Sequence, residues 1–119
     1  MNKERTKTKV MVMGLDGATF DIFMPLISQG KLPNLQYLIQ NGINGRLKSS
    51  IPPFSPAAWF TFQTGKNPGK HGVFDFFRSS PGDHSYLPVN STYLKSKTLW
   101  EILSDYGKKV GVLNKIYRK

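Results

Sequence analysis

A short apolar run near the start of the chain, Val10–Leu15, ends abruptly at Asp16 and Gly17. Charged residues precede the run, and a continuous apolar segment of this length is typical of a strand buried on both faces of a parallel sheet. Asp16 would then lie at the carboxyl end of that strand, where ligands bind in open α/β sheets. The run therefore predicts an α/β fold with an acidic residue at its functional edge.

Two helical patterns follow this segment. Apolar residues recur at near-helical spacing after Gly17, and Pro25 predicts that this first helix is broken or starts late, because proline removes a helix hydrogen bond. In the second pattern Pro33 suits a first helical position, and Asn41 with Gly42 supplies the stop.

A proline-rich corner, IPPFSP, precedes a third helical pattern. Ser55 is predicted as the N-cap of a helix over Pro56–Thr64, because serine before a first-turn proline is a common helix start. The following segment, Thr64–Asn90, is rich in Gly, Pro, Ser and Asn and shows little periodicity. It predicts a long surface excursion.

The last helical pattern covers Thr98–Tyr106, where Thr98 and Glu101 have capping-box spacing and Gly107 follows as a C-cap. Further short strands are predicted at residues 43–50 and 110–113. Strands and helices thus alternate, which favours an α/β sandwich.

Asp16 is a candidate metal ligand, because an ionised carboxylate is a hard oxygen donor and a strand end holds it rigidly beside flexible loops. The alternative is an ordinary turn aspartate, since Asp-Gly is among the commonest turn pairs. The residues alone leave both interpretations open.

Ser55, like Asp16, has both a structural and a functional interpretation. As an N-cap its hydroxyl would accept a backbone hydrogen bond. As a nucleophile, the hydroxyl would project from the turn, a metal would lower its pKa, and the amides of the following helix would face an anionic phosphate.

The other candidate donors carry weaker signals. His71 and His84 have no metal-ligand partner at helical spacing, so a structural or surface role is predicted for each. Asp21, Asp75 and Asp83 are predicted to be capping or solvated carboxylates. The chain has no cysteine, which excludes disulfides and thiolate metal sites.

The chain carries a formal net charge of +10, which raises the alternative of a small basic module that binds nucleic acid or another polyanion. However, nine of the 17 basic residues lie in the first nine residues or in the last segment from Lys108 onward. This distribution favours solvated basic ends. No apolar segment is long enough for a signal peptide or a membrane span, so a cytoplasmic protein without membrane association is expected.

Over about residues 10–114 the chain resembles the N-terminal part of the type I phosphodiesterase/nucleotide pyrophosphatase family of the alkaline phosphatase superfamily, and the order of four motifs carries the resemblance. The motifs are the proline-serine corner at Ser55 and the segments GLDGATFD (Gly14–Asp21), GKLPNLQYLIQNG (Gly30–Gly42) and TGKNPGKHGVFDF (Thr64–Phe76). The resemblance implies a partial three-layer α/β/α sandwich with a mostly parallel sheet. The basic residues that precede this stretch predict a basic N-terminal tail over residues 1–9.

In that family an aspartate after the first strand binds one of two divalent metals, usually zinc, and a threonine or serine at a helix start attacks phosphorus. The matching residues here are Asp16 as a metal ligand and Ser55 as both nucleophile and metal ligand. The implied substrate is a small-molecule phosphoester, hydrolysed through a covalent phospho-enzyme.

The chain departs from the family pattern in two places. Phe76 stands where nucleotide pyrophosphatases carry a phosphate-contacting asparagine, so the preferred phosphoester is left open. The family's remaining metal ligands come from a longer downstream region, whereas this chain ends at Lys119. Residues 115–119 are therefore expected to mark a truncation, and the chain alone is expected to be inactive.

Overall fold

Helices dominate the described part of the chain, and its one sheet is small. The computed structural model describes residues 8–80, 82 and 85–113 of the 119 residues. The elements in chain order are α1 (Phe20–Ser28), α2 (Pro33–Asn41), α3 (Ser55–Thr64), α4 (Pro68–His71), β1 (Phe77–Ser79), β2 (Tyr86–Pro88), a 3₁₀ helix (Ser91–Tyr93) and α5 (Leu99–Asp105). The chain divides into a first unit, Met1–Arg46, and a second unit, Leu47–Lys119.

In the first unit, α1 and α2 contact each other. Helix α1 runs through Pro25 to Ser28, so the predicted break is absent. Proline removes one backbone donor, while its own carbonyl still accepts from the Gln29 amide at 3.2 Å and the Ser28 hydroxyl at 2.8 Å. The helix therefore tolerates the single lost hydrogen bond.

The prediction for α2 is confirmed at both ends. Pro33 is its first residue, Asn41 its last, and the Gly42 amide closes the helix on the Leu38 carbonyl at 2.9 Å. Neither α1 nor α2 buries a residue completely. Their apolar faces are thus only partly covered within the described part of the chain.

The core of the second unit forms around Phe60 of α3. Val73 and Val89 complete the buried cluster, and Tyr93 and Leu94 pack against it. Both valines lie in the segment predicted as a surface excursion, so that prediction is wrong for these two residues, although most other described residues of the segment are exposed. A reversal of the chain direction, and not a regular spacing of apolar residues, buries Val73 and Val89. Hydrophobic periodicity therefore does not predict this burial.

That reversal is a hairpin. Strands β1 and β2 pair antiparallel with Arg78 opposite Leu87. The pairing continues where the Val89 amide donates to the Phe76 carbonyl at 2.8 Å. The Arg78 guanidinium lies 3.9 Å from the centroid of the Tyr93 ring, a cation–π contact that ties the hairpin to the chain beyond it.

Helix α5 contacts α3 and begins with the predicted capping box. The Thr98 amide donates to the Glu101 carboxylate at 2.7 Å, and the Glu101 amide returns to the Thr98 hydroxyl at 3.5 Å. After the helix, Gly107 adopts a left-handed φ of 66°. The Lys108 amide then reaches back to the Leu103 carbonyl at 2.9 Å, as in a Schellman motif.

The predicted strands at Val10–Leu15, residues 43–50 and residues 110–113 are not formed among the described residues. The apolar side chains of Val10–Leu15 are between 57% and 84% exposed instead of buried. An apolar run indicates burial, but a strand exists only when a neighbouring strand pairs with its backbone. The described fold is therefore a mixed helical structure with a two-stranded antiparallel sheet, in place of the mostly parallel sheet expected.

Candidate functional site

Asp16 lies in a turn with Gly17 rather than at the end of a strand. Gly17 has a left-handed φ of 67°, a conformation that glycine adopts readily. Aspartate followed by glycine is a common turn pair. The Asp16 residue is exposed. The structure thus presents this carboxylate on the surface of the first unit.

Ser55 is the first residue of α3, and the N-cap is Phe54, which has extended backbone angles of −92° and 146°. The predicted N-cap role for Ser55 is therefore wrong. Pro56 occupies the second helical position, is fully buried, and fits there because the amide it lacks would have no partner within the helix. Helix α3 consequently starts one residue earlier than the sequence pattern indicates.

Asp16 belongs to the first unit and Ser55 to the second. Their convergence on one cation stays a prediction. The same holds for the two roles assigned to these residues, metal ligand and nucleophile.

A cleft of about 450 Å³ lies in the second unit, beside the proline-rich corner. Its lining comes from the corner, from the middle of α3 and from the start of α4: Ser50, Ile51, Thr61, Asn67, Pro68 and Gly69. The Ser50 hydroxyl donates to the Pro52 carbonyl at 3.0 Å, and Asn67 caps α4 by accepting from the Lys70 amide at 3.1 Å. Both side chains therefore stabilise the backbone conformation of the residues next to them.

His71, at the end of α4, has no exposed surface. Its Nδ1 accepts from the Val73 amide at 3.2 Å, and its Nε2 lies 3.1 Å from the Thr61 hydroxyl. Burial lowers the pKa of His71, while a hydrogen bond to the Ala57 backbone acts in the opposite direction. The prediction for His71 was a structural or surface role, and its burial and contacts agree with the structural one. Sequence spacing did not reveal this burial.

The other carboxylates make local contacts. Asp21 in the first turn of α1 lies 3.5 Å from the Arg46 guanidinium, with both side chains largely exposed. Asp75 accepts from the Phe76 amide at 2.6 Å. These interactions agree with the predicted capping or solvated roles. Asp83 and His84 lie outside the described residues.

The described residues do not complete a metal centre. No group of three or more His, Cys, Asp or Glu side chains that could hold a metal ion occurs among residues 8–80, 82 and 85–113. Both ring nitrogens of His71 have partners within the protein. Asp16 has the donor chemistry for a hard cation, but it would need partners from elsewhere.

Among residues 8–80, 82 and 85–113, no helix has the length and hydrophobicity required to cross a membrane.

No curated protein and no solved structure matches this chain. The model of the family described as "Type I phosphodiesterase / nucleotide pyrophosphatase" matches residues 10–116, a stretch that includes the Asp16 turn, the Ser55 corner and the segment through His71. Because this match covers nearly the whole chain, the protein belongs to the type I phosphodiesterase/nucleotide pyrophosphatase family.

Proposed function

We propose that residues 10–114 are the N-terminal portion of an alkaline-phosphatase-like hydrolase domain that acts on small-molecule phosphoesters. The observation that carries this proposal is the family match over residues 10–116, which places the chain in a superfamily of metallo-hydrolases. In this proposal Ser55 is the nucleophile and Asp16 the first metal ligand. Both residues lie inside the matched stretch.

The position of Ser55 in α3 supports its role. The ten-residue helix starts at Ser55 and contains no charged side chain, so its positive N-terminal end is not neutralised from within. The first amides of a helix have no carbonyl partner in the preceding turn and bind anions well. A phosphoryl group at this end would therefore meet both the backbone donors and the serine hydroxyl.

The chemistry assigned to Ser55 is nucleophilic displacement. Its Oγ gives its proton to solvent and forms a bond to phosphorus, while the bond from phosphorus to the leaving oxygen breaks and that oxygen takes up a proton from solvent. Water then cleaves the resulting serine phosphoester and restores the hydroxyl. Divalent metal ions, when bound, favour such a reaction by stabilising the negative charge on oxygen.

Asp16 is proposed as a ligand because its exposed carboxylate lies in a turn that other groups can approach. The described residues do not complete a metal site around it. We therefore assign the remaining ligands to other parts of the hydrolase domain, and infer that the 119 residues alone do not turn over substrate.

The exposed apolar segments fit the same proposal. Two segments, Val10–Leu15 and residues 110–113, have the composition of buried parallel strands. Their apolar side chains are nevertheless exposed. In a complete three-layer sandwich, neighbouring strands would pair with these segments and helices would cover them. The parallel sheet is thus proposed for the complete domain.

The nucleophile is tested in a version of the chain extended to the length of the family domain, with an aryl phosphodiester as substrate and zinc or manganese supplied. Ser55→Ala should lower kcat by roughly 10³-fold or more, since removal of a nucleophile has effects of at least this size. Ser104→Ala, which removes an exposed hydroxyl in α5, is the matched control and should leave kcat unchanged. An unaltered rate for Ser55→Ala would show that another group attacks phosphorus.

Asp16→Asn tests the ligand in the same extended protein. Loss of the negative oxygen donor should raise the zinc concentration needed for half-maximal rate, whereas Asp21→Asn should not. Equal zinc requirements for Asp16→Asn and the parent protein would contradict the ligand role.

The inactivity of the 119-residue chain is tested by the same assay without extension. No zinc-dependent turnover above that of its Ser55→Ala variant is expected. Turnover that disappears in Ser55→Ala would overturn the inactivity and support the nucleophile.

A further inference from the structure

Asparagine followed by glycine occurs twice around the end of α2, as Asn41-Gly42 and Asn44-Gly45. Both asparagines are exposed. An asparagine before glycine is chemically labile, because the glycine nitrogen can attack the side-chain carbonyl carbon and no Cβ on the glycine hinders its approach. Since the two pairs have the same residues, a difference in their reactivity has to come from the fold.

Helix α2 restrains the first pair. Asn41 is its last residue, and the side-chain Nδ2 donates to the Tyr37 carbonyl at 2.9 Å. The Gly42 amide donates to the Leu38 carbonyl at 2.9 Å, so the attacking nitrogen is already engaged. Ring closure would also need a backbone ψ at Asn41 far from the helical value of about −42°. The end of the helix therefore has to open before this pair can react.

The second pair lies in irregular backbone beyond the helix. Among the described residues the Gly45 amide donates no hydrogen bond, and a methyl group on its Cα would meet no other atom within 4 Å. The Asn44 Nδ2 donates to the Ile39 carbonyl at 3.1 Å, and one exposed bond of this kind slows a reaction by only about fivefold. The second pair can thus cyclise without disruption of a helix.

We propose that Asn44 is a site of spontaneous deamidation, and that α2 protects Asn41 from the same reaction in the folded chain. This proposal does not depend on the proposed hydrolase activity.

The reaction requires no reactant other than water. The Gly45 nitrogen forms a bond to Cγ of Asn44, the bond from Cγ to Nδ2 breaks, and Nδ2 leaves as ammonia with the proton that the Gly45 amide loses. Water then opens the five-membered imide, giving its hydroxyl to a carbonyl carbon and a hydrogen to the nitrogen. Opening at Cγ gives aspartate, whereas opening at the main-chain carbonyl gives isoaspartate, so either product carries a new carboxylate.

The modification changes the charge and the main chain of this segment. It lowers the formal net charge of +10 by one and places a carboxylate two residues before Arg46, whose guanidinium lies 3.5 Å from the Asp21 carboxylate. Because that ion pair is exposed, a competing charge beside it should change stability little. Isoaspartate also lengthens the main chain by one methylene shortly before the second unit, which begins at Leu47.

The first measurement incubates the unaltered 119-residue chain at mildly alkaline pH and follows it by tryptic digestion and fragment-ion mass spectrometry. Trypsin releases residues 32–46 as one peptide that contains both asparagine-glycine pairs. Residue 44 should gain about 1 Da, with isoaspartate among the products, at least about tenfold faster than residue 41. Equal rates at the two positions, a faster residue 41, or aspartate without isoaspartate would overturn the proposal.

The second measurement repeats the incubation in guanidinium chloride. Unfolding removes the restraint that α2 places on Asn41, so the two pairs should react at similar rates. If residue 44 kept its full advantage in denaturant, local sequence and not the helix would set the difference, and the protection of Asn41 would be rejected.

A variant identifies the attacking nitrogen. Gly45→Ala should slow the modification of Asn44 by about tenfold or more, because the new Cβ crowds the nitrogen, and the open space around Gly45 accommodates the substitution. Asn41→Gln is the matched control and should leave the rate at residue 44 unchanged. If Gly45→Ala is modified as fast as the parent chain, the Gly45 nitrogen is not the attacking group and the proposal is wrong.

Discussion

At the residue scale, two phenylalanines of the same helix have opposite environments. Phe60 has no exposed surface and packs with Val73 and Val89, whereas Phe62 is 49% exposed and meets the Trp59 ring edge-on at 6.1 Å. Burial of a whole aromatic side chain contributes far more than a half-exposed aromatic contact. The stability of the second unit therefore depends on Phe60.

Truncation of these two rings tests this difference. Phe60→Ala should lower the free energy of unfolding by about 3–5 kcal/mol, because it removes buried contacts and leaves a cavity. Phe62→Ala should cost about 1 kcal/mol or less. Urea unfolding followed by tryptophan fluorescence gives both values, and similar losses for the two variants would contradict the assigned core.

The site residues show what can be predicted from a residue and its neighbours in sequence. Asp16 and Ser55 were selected from local motifs, and the family match covers both. Their roles remain predictions because they depend on groups brought together across the fold. The burial of His71 was missed, since nothing in the local pattern around it differs from that of an exposed turn.

At the element scale, short helices depend on their ends. Helix α5 has seven residues, a length at which an isolated helix is unstable in water, and Thr98 supplies the capping box that satisfies its first amides. Thr98 is also only 3% exposed. Its hydroxyl is thus both a cap and part of the packed interior.

Thr98→Ala should cost about 1 kcal/mol in unfolding free energy through loss of the cap. Thr98→Ser keeps the hydroxyl and should recover most of this loss. Thermal or urea unfolding with circular dichroism at a helix-sensitive wavelength provides the comparison. The capping role would be refuted if Thr98→Ser were as destabilised as Thr98→Ala.

Helix ends were predictable where the signals are local. Pro33 and the Thr98–Glu101 pair specify helix starts through groups within four residues, and both predictions are confirmed. Ser55 was misassigned by one position, because serine is compatible with both an N-cap and a first helical residue. Only the backbone angles at Phe54 distinguish the two.

At the scale of the whole molecule, the exposed apolar segments matter most. Met11, Met13, Ile43, Leu47 and Leu113 are each at least 70% exposed. Extended apolar segments with unpaired backbone are sites of association between chains. The 119-residue chain should therefore self-associate.

Met11→Lys combined with Met13→Lys should reduce this association without lowering the free energy of unfolding, because neither side chain is buried. Gln29→Lys combined with Gln40→Lys adds the same charge at positions that are already polar and serves as the control. Sedimentation velocity over a range of concentrations measures the effect. If the control pair reduces association equally, net charge rather than the apolar segment is responsible.

Local sequence was sufficient wherever a structure depends on neighbours within one helical turn, as at Pro33, Thr98 and Gly107. It also identified the family of the chain, because the order of the motifs can be recognised without knowledge of three-dimensional contacts. Tertiary structure alone revealed the core at Phe60, Val73 and Val89 and showed that the expected strands are not formed in the part of the chain that the structure describes. The physical reason is that burial and strand pairing depend on groups distant in sequence, whereas capping and turn geometry do not.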